Sequence, residues 1–239
     1  MRKAAVLTAL ALALVAVAPA SAAGWLLGAI GGGGLDTALG TYFDSKASQL
    51  AALGSSSLTS PGSIRALAFG GWTAGLFAET DLLSWLSLRV EPRVAALGAA
   101  RLALTSSGAS LDRYGASLAA VLVPVMLRGR LSAGPGSIVA SLGPLAGIVL
   151  GWITLSDQYA TMATTTTITP GILDRFFAGG SAGLGYSLPL GPGVGFLEAR
   201  ADMAFTSAAR NAGSAGAQIL PVAFTVVASY GLRLGGGGK

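Results

Sequence analysis

LSLRVEPRV, residues 86–94, sets Arg89, Glu91 and Arg93 in strict alternation with Leu88, Val90, Pro92 and Val94. On an α-helix, residues two apart lie about 200° apart around the axis, so the three charges would face opposite sides and leave no apolar stripe. On a β-strand the same spacing places Ser87, Arg89, Glu91 and Arg93 on one face and Leu86, Leu88, Val90, Pro92 and Val94 on the other. A water-soluble sandwich would bury the Leu/Val face. A membrane barrel would turn that face to lipid and the charges to the lumen. The rest of the chain chooses between them.

The chain opens with MRKAAVLTALALALVAVAPASAAG, in which Arg2 and Lys3 precede an apolar run that ends in Pro19 and an Ala20-Ser21-Ala22 site. This has the three parts of a secretory signal peptide, with cleavage expected after Ala22. The domain expectation is therefore a leader over 1–22 and a single barrel domain over 23–239. The 239 residues less the 22 of the leader leave 217, and loss of Arg2 and Lys3 takes the net charge from +5 to +3. So small an excess does not point to nucleic acid, and none is expected as a partner. The chain has no cysteine, which excludes a disulfide framework and a lipid-anchored N-terminal Cys. Hydrophobic residues make up 52% and charged residues 10%, against about 25% charged in soluble domains, so a membrane protein is favoured. Glycine, 36 of 239 residues, is too frequent for long stable helices.

If LSLRVEPRV is a membrane strand, its alternation has to recur. GVGFLEARADMAF puts Glu198, Arg200 and Asp202 opposite Leu197, Ala199, Ala201, Met203 and Phe205. FAGGSAGLGYSL opposes Gly179, Ser181, Gly183, Gly185 and Ser187 to Ala182, Leu184, Tyr186 and Leu188. SLGPLAGIVLGW and FTVVASYGLRL repeat the pattern, the latter with Ser229, Gly231 and Arg233 on the polar face. The expected fold is all-β: an eight-stranded antiparallel up-and-down transmembrane β-barrel. Its strands fall at about 25–43, 64–79, 84–101, 117–132, 138–154, 173–188, 194–206 and 217–234. Tight turns are expected at 80–83, 132–137 and 189–193. Longer Ser/Thr/Gly-rich loops are expected at 44–63, from Ser106 to Ser117, at 156–172 and at 207–216, the short-turn, long-loop alternation of outer-membrane barrels. Two features run against this pattern. Pro92, Pro124 and Pro144 fall in mid-strand, where bulges would be the natural accommodation. The 26 residues from Leu131 to Ser156 carry no charge and are long enough for a membrane helix, but the Gly134-Pro135 and Gly143-Pro144 steps argue against one.

In order, LSLRVEPRVAALGA, LAAVLVPVMLRGRL, IVASLGPLAG, FFAGGSAGLGYSLPLGPGVGFLEARADM and VVASYGLRL resemble successive strands of the PorT-like outer-membrane β-barrel family. The family pattern is a Glu-bearing third strand, an apolar-Pro-apolar strand, a Gly-Pro strand, a Gly-rich hairpin running into an acidic-x-Arg strand, and an aromatic last strand. The resemblance covers roughly residues 64–234. It departs in the abundance of Ala, in the Arg-Val-Glu-Pro-Arg of the third strand and in the tail Gly235–Lys239. It implies an outer-membrane barrel, tolerates proline in two of the strands, and admits an accessory role in protein secretion.

Chemistry is limited by what is missing. With neither His nor Cys in the chain, Ser/His and Cys/His nucleophile pairs, histidine zinc sites and thiolate chemistry are excluded. Several of the ten carboxylates alternate with arginines and the set reads as paired, so no enzyme activity, cofactor or metal is expected. GAIGGGGLD, residues 28–36, lacks the GK[ST] ending of a phosphate loop and reads as a strand in a cramped interior. The Thr164–Thr167 run reads as a loop crest. Arg89, Glu91, Arg93, Arg128, Arg130, Glu198, Arg200 and Asp202 are expected to face the lumen, because arginine toward lipid costs about 2–4 kcal/mol at the midplane. Mixed signs in so narrow an interior should pair and fill it. The expectation is a monomeric barrel in the outer membrane of a double-membraned bacterium, exported by the leader and inserted by the barrel-assembly machinery. Its partners are outer-membrane lipid and whatever the outer loops bind. The role is structural or surface-interacting, with a narrow solute channel or a secretion accessory as alternatives.

Overall fold

The computed structural model of the chain describes residues 24–39, 63–67, 69–98, 101–106, 109–159, 162–168, 175–206 and 220–234. The leader and the expected loops at 44–62 and 207–216 lie outside these residues. Among the described residues, twelve β-segments fall into eight strands by their pairing. The first is Trp25–Leu39. The second runs through Ser63–Leu67 and Phe69–Leu83, and the third through Leu86–Val90, Arg93–Gly98 and Arg101–Ser106. The fourth is Ala109–Ala133 and the fifth Gly136–Tyr159. The sixth comprises Met162–Ile168 and Phe176–Leu190, both paired with the fifth, the seventh is Gly193–Ala204 and the eighth Leu220–Leu234.

Each strand pairs antiparallel with its sequence neighbours. The first strand pairs with both the second and the eighth, Trp25 facing Thr80 on one side and Leu234 on the other, so the sheet closes on itself. The fold is an eight-stranded antiparallel β-barrel in which every strand of the closed ring has a neighbour on both sides, while among the described residues Ser63–Leu67 and Met162–Ile168 pair on one side only.

Gly134-Pro135 and Gly191-Pro192 each make a two-residue hairpin with glycine at φ 58° in the first central position, a conformation any side chain there would strain. The charge-free stretch from Leu131 is thus one hairpin and not a helix. The turn expected at 80–83 lies instead at Ser84-Trp85. Alternation of Phe77, Glu79 and Asp81 with Ala78, Thr80 and Leu82 carries the second strand on to Leu83, with a register shift between Asp81 and Leu83.

The mid-strand prolines do not mark bulges. Register is unbroken across Glu91-Pro92, with Val90 facing Ala78 and Val125 and Arg93 facing Gly75 and Leu122. Each proline instead removes one ladder bond. Leu76 N donates to Pro92 O at 3.0 Å and Glu91 N to Pro124 O at 3.1 Å, and the reciprocal bonds cannot form because proline has no N–H. Register shifts occur elsewhere, between Leu104 and Thr105 and between Ser117 and Ala119.

At the end opposite the tight turns, two expected loops are largely strand. Arg101–Ser106 and the start of the fourth strand form a hairpin, and the fifth strand continues to Tyr159 against Met162–Ile168. Strands two to six therefore stand as a paired rim above the point where strand seven ends at Ala204.

Leu76, Leu142, Leu184, Leu197 and Val226 face outward and are all more than half exposed. Aromatic residues bracket this belt, with Trp25, Trp85, Tyr186 and Tyr230 on the turn side and Trp72, Phe205 and Phe224 on the other. The two tyrosine hydroxyls bind turn-side carbonyls, Tyr186 to Ala133 O at 2.8 Å and Tyr230 to Leu190 O at 3.1 Å. An apolar band between aromatic girdles is the surface a lipid bilayer selects. Single cysteines should report it. Ala182→Cys and Leu184→Cys are expected to react with a lipid-phase thiol reagent, and Ser181→Cys and Ser187→Cys, which face inward, are not. Uniform labelling along the strand would contradict the alternation.

Candidate functional site

The interior is built by four strands that carry charge, the second with Glu79 and Asp81, and three that make room for it. Ser87, Arg89, Glu91 and Arg93 come from the inward face of the third strand, Arg128 and Arg130 from the fourth, and Glu198, Arg200 and Asp202 from the seventh. Facing them, the first, fifth and sixth strands present Gly28 and Gly32, Gly143 and Gly147, and Gly183 and Gly185. A Cβ at Gly185 would run into Cγ of Glu198, and one at Gly147 into the ring of Phe177. These glycines are therefore the space into which the long side chains fold.

Six side chains form a closed ring of alternating charge. Glu79 pairs with Arg128, Arg128 with Glu198, Glu198 with Arg200 at 2.8 Å, Arg200 with Glu91 at 3.2 Å, Glu91 with Arg89 at 2.6 Å, and Arg89 with Glu79 at 3.6 Å. Their exposures run from 0% to 3%, so the six side chains are packed away from water. Three acids and three bases cancel, which is the condition for holding ions out of bulk water. Ser87 donates to Glu79 at 2.6 Å, and Arg89 donates to Ser229 at 3.1 Å. Aromatic faces complete the packing: the Arg89 guanidinium sits 3.6 Å from the Phe77 ring centre and that of Arg128 4.5 Å from Phe196. The two rings meet edge to face at 6.2 Å. Cations stacked on desolvated rings gain beyond their ion pairs.

The remaining expected residues lie on either side of the ring. Arg93 pairs with Asp202 toward the rim. Arg130 bridges Glu79 and Asp81 at the turn end, with Asp81 at 2.8 Å and half exposed. There the barrel opens into a mouth of about 420 Å³ bordered by Arg130, Asp81, Arg233 and Ser132. All eight residues singled out in the sequence are thus inside the barrel, and each has at least one partner of opposite charge.

The sequence reading missed Glu79, which joins Arg89, Arg128 and Arg130, as many arginines as Glu198 reaches. Ending the second strand at residue 79 left it at a turn. The run FAETD, with Phe77, Glu79 and Asp81 two apart, held the alternation that would have found it.

Chemically, each carboxylate of the ring is covered by two or more guanidinium groups and has no face open to a substrate. Among the described residues no group of three or more potential metal-binding side chains comes together.

No family model matches the chain, and no curated protein matches it, so the PorT-like resemblance has no counterpart among them. Solved barrels resemble it at low identity. Ail, the attachment invasion locus protein of Yersinia pestis, shows 10% identity and a TM-score of 0.38 over 87% of this chain and 99% of its own. The outer membrane protein OprG of Pseudomonas aeruginosa shows 7% and 0.39 over 89% and 95%. The outer membrane protease OmpT of Escherichia coli shows 10% and 0.34 over 89% and 96%. At these values the likeness carries no argument about activity, and the barrel rests on its own closed pairing.

Proposed function

We propose that this chain is a non-enzymatic outer-membrane barrel whose lumen is closed by its own side chains and whose work is done at the rim. The observation that carries this reading is the pairing of an apolar, aromatic-bracketed exterior with a charge-neutral ring buried to 3% exposure or less. A channel needs a wet path, and an eight-stranded barrel has room for side chains or for water but not for both. The paired rim formed by strands two to six favours surface interaction over a purely structural part, because backbone paired beyond the belt stands where a partner can meet it. Planar-bilayer recording of the refolded protein tests the closed lumen. We expect an unbroken baseline at voltages where porins give discrete steps, and reproducible unit steps would replace this reading with that of a narrow porin.

A further inference from the structure

On the outside of the barrel, at the turn-side end of the belt, a groove of about 620 Å³ crosses strands one to four and is lined by Trp25, Leu27, Ala78, Thr80, Leu88 and Val90. Almost everything in it is hydrocarbon. The exception is Thr80, which points away from the lumen between inward-facing Glu79 and Asp81, opposite Trp25 on one side and Leu88 on the other. Thr80 is 1% exposed and its hydroxyl has no hydrogen-bond partner. A buried hydroxyl without a partner is costly anywhere, and more so beside a bilayer, where there is no water to complete it.

We infer that this groove holds one acyl chain of an ester-linked glycerophospholipid, whose ester carbonyl accepts the Thr80 hydroxyl. The depth fits. Thr80 lies level with Trp25 and four residues from the turn at Ser84-Trp85, and tryptophans of barrel girdles sit at the border between headgroups and hydrocarbon. Ester carbonyls are the acceptors a phospholipid brings to that border. From there, the chain runs into the belt along Ala78, Leu27 and Val90, where the small Ala78 side chain leaves the trough and the larger neighbours wall it. The groove is continuous with the lipid-facing belt, so the occupant comes from the leaflet on the turn side. The Thr80 hydroxyl is covered in this structure, so to meet the carbonyl it has to turn outward about χ1 when the lipid binds. The inference rests on the membrane reading, and adds to it a preference for one lipid chemistry.

The test compares ester with ether. The full-length mature protein is refolded into nanodiscs holding equal amounts of a diester phosphatidylcholine and its dialkyl-ether analogue, released, and the retained lipid is identified by native mass spectrometry. Wild type is expected to keep one lipid and to prefer the ester about threefold to tenfold, the worth of one hydrogen bond. Thr80→Val, which keeps the shape and removes the donor, should retain lipid with no preference. Ala78→Phe should lower retention of both lipids. Equal retention of ester and ether by wild type, no retained lipid, or a preference that survives in Thr80→Val overturns the inference. Failure of the membrane reading looks different, because the protein then does not enter the nanodisc at all.

Discussion

Arg128→Met is expected to destabilise the barrel by about 3–5 kcal/mol, the usual cost of removing one partner from a buried ion pair. Arg128 is 0% exposed and is the link between Glu79 and Glu198 in the six-membered ring. Methionine fills most of its volume and still meets the Phe196 face, so what is lost is charge more than packing. Two carboxylates then share the remaining guanidiniums, and the ring carries a net negative charge inside a shell of strands. Equilibrium urea unfolding in phospholipid vesicles, followed by tryptophan fluorescence, measures the loss. The double variant Arg128→Met/Glu198→Gln restores neutrality, since Glu79 keeps Arg89 and Arg130 while Arg200 keeps Glu91. It is expected to recover more than half of the loss, although it contains one more substitution. If the two losses simply add, the residues do not act as a ring, and the account of the interior as one electrostatic unit fails.

The same network shows how far the sequence could be read. Period-two alternation fixes which residues face in, because a strand offers only two faces and arginine is excluded from one of them by lipid. That is why LSLRVEPRV, GVGFLEARADMAF and FAGGSAGLGYSL could each be divided into two faces from the sequence alone. Pairing partners are a different matter. Glu79 and Arg128 are 49 residues apart in sequence and Arg93 and Asp202 109, and meet only because closure fixes the stagger of every strand. Strand ends were the other weak point. Serine and threonine occur both in loops and on the polar face of a strand, so the stretch from Ser106 to Ser117 read as a loop although Ser106 and the residues from Ala109 on are paired strand. The prolines were misjudged for a related reason. Loss of a single N–H does not force a bulge when the ladder bonds on either side, such as Leu76 N to Pro92 O, hold the register.

Leu184→Arg should cost about 2–4 kcal/mol, whereas Leu190→Arg on the same strand and the same outward face should cost about 0–1 kcal/mol. Both leucines are well exposed, at 60% and 47%, so in a water-soluble barrel either substitution would be close to neutral or favourable. The difference arises only if the solvent outside is hydrocarbon. Leu190 borders the turn at Gly191-Pro192, beside the carbonyl that receives the Tyr230 hydroxyl, where a long cationic side chain reaches headgroups and water. Leu184 is six residues further along the sixth strand. At about 3.3 Å per residue and a tilt near 40°, this places it about 15 Å deeper, close to the middle of a band about 25 Å tall. Its neighbours there, Ala140 and Ala199, offer no acceptor and no route to water. Unfolding both variants in the same vesicles decides between the two solvents. A gap of 2 kcal/mol or more between them identifies hydrocarbon at Leu184. Equal effects would mean that the apolar belt is covered by something other than lipid, and the outer-membrane assignment would fall with the depth dependence that supports it.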